Sequence, residues 1–547
     1  MTSGGAARPF RLALVSLQGE GLWGKPIHYF NPLAVTTLAG YVKEALAPEI
    51  RLFDTFITSI GEIAASLRAF SPHLLGISMK TDSLLELKKL MEAIGTDDPP
   101  FPAVLGGIAP SIIDGDLLSL YPRAFVVRGE GEIPLAALIR HIAGQIPRHE
   151  VPALSYLDEG GALQRNAAVP LDLPSYHSQP FDDLTGHCIT TDGDFWLESG
   201  RGCRRRCSFC TKGEAHCGNR GCRRFPLERT LERMASIEKK FGIRRFRFSD
   251  EDFFDNDFTF LKDFLAGLGE LPFIALFEVD VNVRDIISPG DPPERARERR
   301  WLLESLVEKG LTHVFIGIES LSDTQLRRYR KGSRVSQITA AAGMLRELSI
   351  SCSAGFIPFD PFVTVPELAE NFRNLRDTGI IAMVNTPLKV LRLQKGTVLA
   401  EKAMEAGLVT GVSENLMEYS YRFKDPDVAK LHRVAGPAAE LFRHCGLRLN
   451  YLIRNGAEYE RKLEPSLLSY LKEKNSALKE GQLDYLLDIV ARSSESEKDL
   501  LERDRAFRGH CAALYGEIRT RCLGIGEEGP RNRLCGICEE FIEEMRQ

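Results

Sequence analysis

Three cysteines, Cys203, Cys207 and Cys210, fall within eight residues of the segment ESGRGCRRRCSFCTKG. Thiolates at i, i+4 and i+7 on a glycine-bounded loop suit a soft metal, because a short loop can curl until all three sulfurs face one point. Three is the informative number. A cubane iron-sulfur cluster held by three thiolates leaves its fourth iron open. Structural zinc instead closes four ligands, and His216, Cys217 or Cys222 would then have to supply the last. Three unrelated core cysteines are the plain alternative.

The other cysteines sharpen the picture, since none of the twelve occurs before Cys188. Near the end, Cys511, Cys522, Cys535 and Cys538 include a CxxC pair and form a second candidate metal site. No apolar run reaches the roughly 18 residues of a membrane helix and no signal-peptide pattern opens the chain, so a cytoplasmic location away from membranes is expected. Disulfides are rare in that setting. A net charge of -5 with 44% hydrophobic residues sets no global bias toward nucleic acid or membrane. Locally, eight basic residues between Arg201 and Arg224 stand against one acidic residue, Glu214. They fit a solvated loop or a docking face for an electron donor such as flavodoxin or ferredoxin, and an anionic substrate steered to the cysteines is the other reading. No aromatic-interleaved basic stripe points to specific nucleic-acid binding.

What must position the triplet is a chain of 547 residues, too long for one core. From Phe10 to residue 145, strand and helix patterns alternate (FRLALVSL, IRLFDTF, LLGISM, FPAVLGG and AFVVRGEGE are the strands), which implies parallel strands with helical crossovers. Residues 1–146 thus read as an α/β, doubly wound, flavodoxin-like domain. Its ligand crevice lies at the carboxyl ends of the strands, where Gly106, Gly107 and Gly129 to Glu132 fall. Residues 147–190, rich in Pro, Gly and Asp, read as a linker carrying a small hairpin. Six further strand-helix units over 191–398 predict a full or partial β/α barrel with its chemistry at the strands' carboxyl ends. Residues 399–547 read as a mainly helical region.

CRRRCSFC resembles the CxxxCxxC motif of radical S-adenosylmethionine (radical SAM) enzymes, including the aromatic Phe209 before the last cysteine. The resemblance implies that Cys203, Cys207 and Cys210 hold a [4Fe-4S] cluster and that the open iron takes the amino and carboxylate groups of SAM. Electron transfer then splits SAM to methionine and a 5'-deoxyadenosyl radical. FRFSDEDFF is similar to the family's second-strand segment, which implies that Asp250 and Glu251 face the SAM ammonium. VFIGIESLSDTQLRRYRKG is similar to a later strand signature, placing Glu319 and Ser320 near SAM. LRLQKGTVL resembles the segment ending in Gly396 and Thr397, with Gln394 and Lys395 where prolines are more usual.

Residues 10–145 resemble the cobalamin-binding domain that often precedes such a barrel. Gly106, Gly107 and Gly129 would allow close backbone approach to the cobalamin tail, with Ser78 as a hydrogen-bonding neighbour. Where many such domains present a histidine to cobalt from DxHxxG, this chain reads DTFITS, with Phe56 at the histidine position and Ser59 at the glycine. His28 and His73 are read as incidental. Methylthiotransferases of the group carry cluster cysteines ahead of the barrel, and this chain has none there.

The resemblance therefore implies a cobalamin-dependent radical SAM C-methyltransferase acting on a small metabolite or natural-product intermediate. One alternative keeps the cofactors but performs cyclisation, ring contraction or rearrangement without net methyl transfer. The other is a non-catalytic cobalamin or cluster sensor.

Overall fold

The computed structural model describes residues 9–18, 30–95, 100–190, 195–212, 221–458, 464–523 and 528–546. The first seven strands, β1 (Arg11–Ser16), β2 (Glu49–Asp54), β3 (Leu74–Met79), β4 (Ala103–Gly107), β5 (Phe125–Val127), β6 (Leu154–Leu157) and β7 (Leu163–Arg165), form one sheet in the order 2-1-3-4-5-6-7. β1 to β5 are parallel, in the flavodoxin-like order. The run RLALVS is buried almost throughout because helices cover both faces. Ile63, Leu67, Leu87 and Leu90 pack on one face and Val35, Ala39, Leu135 and Ile139 on the other. Ser59, the residue at the glycine position of DxHxxG, caps the helix Ile60–Phe70 in a reciprocal box with Glu62.

The hairpin within 147–190 belongs to this sheet, because β6 pairs antiparallel with β5, and β7 with β6. Beyond it, β8 (Phe195–Leu197), β11 (Arg245–Phe248), β12 (Leu276–Asn282), β13 (Leu311–Glu319) and β14 (Ser351–Phe356) make a parallel five-stranded sheet in the order 14-13-12-11-8, with β9 (Gly200–Arg201) and β10 (Arg223–Arg224) as a small antiparallel pair at its edge. The barrel is partial. The segment MVNTPLKVLRL, which has the pattern of the sixth expected strand, contributes only single bridges from Val384 to Ala354 and from Val390 to Phe359. Pro387 within it lacks the N–H that a ladder needs.

The chain after 398 is mainly helical, as expected, apart from a small sheet ahead of the bundle. Leu393–Gln394 (β15), Val409–Val412 (β16) and Glu418–Tyr421 (β17) form an antiparallel sheet, and Met417 in its hairpin enters the core of the first domain. The β-branched and aromatic residues of LVTGV and MEYSYRF favour strand over helix here. Helices Pro426–Glu458, Pro465–Ala491, Glu497–Leu523 and Glu528–Arg546 then form a bundle whose core is continuous with that of the barrel. Among the described residues no helix is long and apolar enough to cross a membrane.

One buried lysine docks the bundle. Lys479 donates to the Ala382 carbonyl at 2.8 Å, and burial pulls its pKa from 10.5 to about 8. The unfolded chain binds that proton up to the higher value, so stability should rise as pH climbs through this window. Lys479→Met is expected to remove the rise between pH 8 and 10.5, as read from thermal unfolding across that range.

Candidate functional site

The loop from Gly202 to Lys212 leaves β9 on a left-handed glycine, Gly202 at φ +93°, packed so closely on the Gly221 carbonyl that a Cβ would collide. Three backbone links hold the loop. The Ser208 N–H donates to the Tyr329 carbonyl at 2.9 Å, its hydroxyl to the Arg328 carbonyl at 2.8 Å, and the Leu399 N–H donates to the Ser208 carbonyl at 2.8 Å. Phe209 packs edge-on against Tyr329. Held this way, Cys203, Cys207 and Cys210 line one cavity of about 230 Å³. As free thiols Cys203 is pushed up to about 11 and Cys207 is also raised, in both cases chiefly by burial. A metal that takes them as thiolates therefore displaces protons on binding.

The rest of that cavity is zwitterionic in its fittings. Arg205, Arg206, Lys212 and Lys331 supply positive charge, while Glu251, Asp280 and Glu319 supply carboxylates and Asn282 an amide. Glu251 also accepts from the Gly202 N–H at 2.8 Å. Glu319 sits at the end of β13 with φ +65°, a conformation costly for a side-chain-bearing residue. Its Oε1 lies 3.3 Å from Lys331 Nζ, and burial works against that lysine's charge while Glu319 and then Cys207 hold its pKa above the ordinary value. Gly317 makes room for the pair, because a Cβ there would stand 2.7 Å from both Glu319 Oε1 and Lys331 Nζ.

Two expected contacts face elsewhere. Asp250 accepts from the Ser199 N–H at 2.9 Å, the Ser199 hydroxyl at 2.6 Å and Arg224 at 3.2 Å, and burial pushes it up to about 7. It pins β9 and β10 and does not line the cavity. Ser320 is fully buried, with its hydroxyl held between Gln325 and Asn371 at 2.7 and 2.9 Å. Asp250 and Ser320 each lie just past a strand, beyond the alternation of faces that a pleat imposes, and distant partners hold both away from the cavity, Ser199 and Arg224 at Asp250, Gln325 and Asn371 at Ser320. Asp280, Asn282 and Lys331 were missed. Asp280 and Asn282, two apart on β12, carried that alternation as a readable signal, whereas Lys331 had none. Thr397 caps the helix Val398–Glu405 and Gly396 adopts φ +75°.

A second cavity, about 650 Å³ and largely apolar, opens between the first domain and the barrel. Ser78, Gly106, Gly107 and Gly129 line it from the strands' carboxyl ends, as do Gly131 and Glu132. At Gly106 a Cβ would meet nothing closer than 4.0 Å, so the missing side chain leaves bare backbone open to a bulky ligand. The barrel side supplies Phe209, Cys210, Lys212 and Glu251, and these four line the first cavity as well. They form the wall between the two. No histidine is among the described residues lining this space. Asp54 accepts from the Phe56 N–H at 2.8 Å, Phe56 packs toward the barrel core, and His73 accepts from the Arg11 N–H at the opposite end of the sheet. His28, His216 and Cys217 lie outside the described residues.

The basic stretch is less solvated than expected. Arg223 pairs with Glu130 at 2.7 Å and Arg224 with Asp250, while Arg205 and Arg206 turn into the first cavity. Arg204, the exposed one, still reaches Asp255 at 2.9 Å. Cys222 stands apart from the triplet, its thiol pushed up to about 12 by burial. Cys511, Cys522, Cys535 and Cys538 sit in the apolar bundle core around the stacked rings of Tyr515 and Phe541, and burial pushes Cys511 and Cys522 to about 12. The Cys538 thiol is raised chiefly by burial and further by Cys522, Cys535 and Cys445, with Arg519 acting in the opposite sense. Leu, Ile and Phe side chains surround these four cysteines, which pack there as small hydrophobes.

Fold and site together set a partial barrel with a three-cysteine loop against a glycine-rimmed crevice of a doubly wound domain. Comparisons agree: residues 197–375 match the radical SAM superfamily and residues 24–139 the B12 binding domain. The chain is 27% identical over 372 residues to 4'-phospho-dehydrooxetanocin synthase of Priestia megaterium, covering 65% of this chain and 50% of that protein. The chain thus spans half the length of that relative. It is 24% identical over 340 residues to the hopanoid C-3 methylase of Methylococcus capsulatus, covering 60% and 61%. The aqua-cobalamin-bound structure of the cobalamin-dependent S-adenosylmethionine radical enzyme OxsB superposes with a TM-score of 0.83 at 20% identity, covering 98% of this chain and 84% of that one. Residues 197–375 are thus similar to radical SAM enzymes and residues 24–139 to B12 binding domains, which imply a [4Fe-4S] cluster and SAM for the barrel and cobalamin for the first domain.

Each of Cys203→Ala, Cys207→Ala and Cys210→Ala is expected to abolish iron retention after anaerobic reconstitution, measured as iron per chain. Gly317→Ala should leave iron unchanged but weaken SAM binding by about tenfold, since the new methyl displaces the Glu319–Lys331 pair.

Proposed function

We propose that this enzyme transfers a methyl group to a carbon of a small-molecule substrate bound where the two cavities meet. One observation carries the reading: Phe209, Cys210, Lys212 and Glu251 line both cavities, so a ligand of the cysteine loop and a ligand of the glycine-rimmed crevice are one side chain apart. When bound, the cluster and SAM supply a hydrogen-abstracting radical and cobalamin supplies a methyl donor. The residues' own work is positional. Glu251 and Glu319 offer carboxylates to an ammonium, Arg205, Arg206 and Lys331 offer cations to a carboxylate, and the crevice's apolar walls exclude water. A flavodoxin or ferredoxin is the proposed electron donor.

The hopanoid methylase among the relatives supports methyl transfer. The 27% identical relative is named a synthase, which favours a second reading in which the same cofactors rearrange or contract a ring without net methylation. Product analysis separates the two. Anaerobic turnover with SAM, cobalamin and reductant should release both 5'-deoxyadenosine and S-adenosylhomocysteine, whereas 5'-deoxyadenosine alone would defeat methyl transfer. Absence of any SAM cleavage would leave only a sensor.

A further inference from the structure

Four cations line the cysteine cavity, and one differs from the rest in how it is held. Arg206 and Lys212 are exposed and Arg205 is half-buried, whereas Lys331 is buried, with its side chain 7% exposed. Burial decides which of them acts most on the cysteines. An exposed charge is screened by water and salt, while an enclosed one acts on its neighbours through a medium of much lower dielectric.

The position of Lys331 is built from the backbone. The helix Asp323–Arg328 ends in a Schellman turn, in which the Arg330 N–H donates to the Arg327 carbonyl and the Lys331 N–H to the Leu326 carbonyl, both at 3.1 Å, with Arg330 left-handed at φ +52°. That turn aims Lys331 at the cavity. The two residues ahead of it hold the cysteine loop, since the Arg328 and Tyr329 carbonyls both accept from Ser208, one residue past Cys207. Lys331 and Cys207 therefore belong to one hydrogen-bonded unit.

Paired glycines leave room for the counter-ion. Gly317 of β13 is in register with Gly355 of β14, and a Cβ on either would stand within 3.3 Å of a Glu319 carboxylate oxygen. Glu319 bends to φ +65° to reach this cradle and meets Lys331 at 3.3 Å. The pair is not symmetric toward the cysteines. Burial raises the Cys207 thiol, and of the charges around it Lys331 opposes the rise most, with Glu319 next and in the other sense. The ammonium end thus acts on Cys207 more strongly than the carboxylate end.

We infer that Lys331 is a positioning residue that sets the reduction potential of the cluster held by Cys203, Cys207 and Cys210. Reduction adds one electron, supplied by flavodoxin, ferredoxin or dithionite, and with it one negative charge beside a fixed ammonium, which favours the reduced state. Lys331 itself neither gains nor loses a proton, and no bond changes. The inference rests on the cluster that residues 197–375 imply and holds whether the product is methylated or rearranged.

A redox titration of the reconstituted full-length protein without SAM, using dithionite with mediator dyes and followed by the EPR signal of the reduced cluster, tests this. Lys331→Met is expected to lower the equilibrium constant for one-electron reduction about tenfold, equivalent to about 59 mV. Lys331→Arg should keep the wild-type value, and Glu319→Gln should raise it. The opposite signs discriminate, because a pair that only braces the loop would shift both variants the same way, and that result overturns the inference. An unchanged potential in Lys331→Met at wild-type iron content also overturns it, and weaker SAM binding in that variant then assigns Lys331 to the SAM carboxylate alone. If Lys331→Met fails to retain iron, the other two variants decide: a rise in Glu319→Gln with no change in Lys331→Arg supports the inference, and a fall in Glu319→Gln overturns it. Substrate is absent and no product is read, so failure here is distinct from failure of methyl transfer.

Discussion

A largely enclosed guanidinium, that of Arg201, anchors the contact between the two halves of the active centre. Arg201 reaches Glu198 in the barrel at 2.9 and 3.1 Å, and Glu132 and Glu130 in the first domain at 2.7 and 3.4 Å. Burial works against its charge, but Glu132 and Glu198 hold it firmly protonated. Charges this deep are stable only as a complete set, since removing one member strands the others. Arg223 completes the set by bonding both oxygens of Glu130, and Arg229 stacks over Phe225 beneath it. The orientation this network enforces is the one in which the crevice glycines face the cysteine loop. Arg201 is also two residues from Cys203, so the same contact sets where the loop begins.

Elsewhere the domains meet through more ordinary contacts that agree with this orientation. The Asn31 side chain exchanges two hydrogen bonds with the Trp196 backbone, at 2.7 and 3.1 Å, and Lys395 reaches Asp116 at 2.9 Å. Met417 packs into the first domain from the hairpin that follows the barrel. A chain that uses one side of its sheet as a wall of the active cavity needs such redundancy, because a small rotation would open the crevice to water and weaken every charge interaction within it. The strained Glu319 belongs to the same economy of position. Its left-handed backbone is sustained by the parallel sheet on either side and by Lys331 above the bare Gly317.

Local pattern was enough to reveal the cysteine tripod, the doubly wound order of β1 to β5 and the glycines at their ends, because each follows from spacing, periodicity or the absence of a side chain within a few residues. Which residue of an adjacent pair faces the cavity was decided by distant partners. Asp250 is turned inward by Ser199 and Arg224, and Ser320 by Gln325 and Asn371, contacts spanning up to about fifty residues of chain. The basic run around the triplet looked solvated because its carboxylates lie far away in sequence, at Glu130, Glu132, Asp250 and Asp255. Likewise the terminal cysteines carry metal-like spacing, yet helix packing buries them among apolar rings. Only the folded chain could bring Lys331 to the cavity of the cysteines, or make one wall of Phe209, Cys210, Lys212 and Glu251 serve two cavities, since long-range burial and charge pairing leave no local trace in the order of residues.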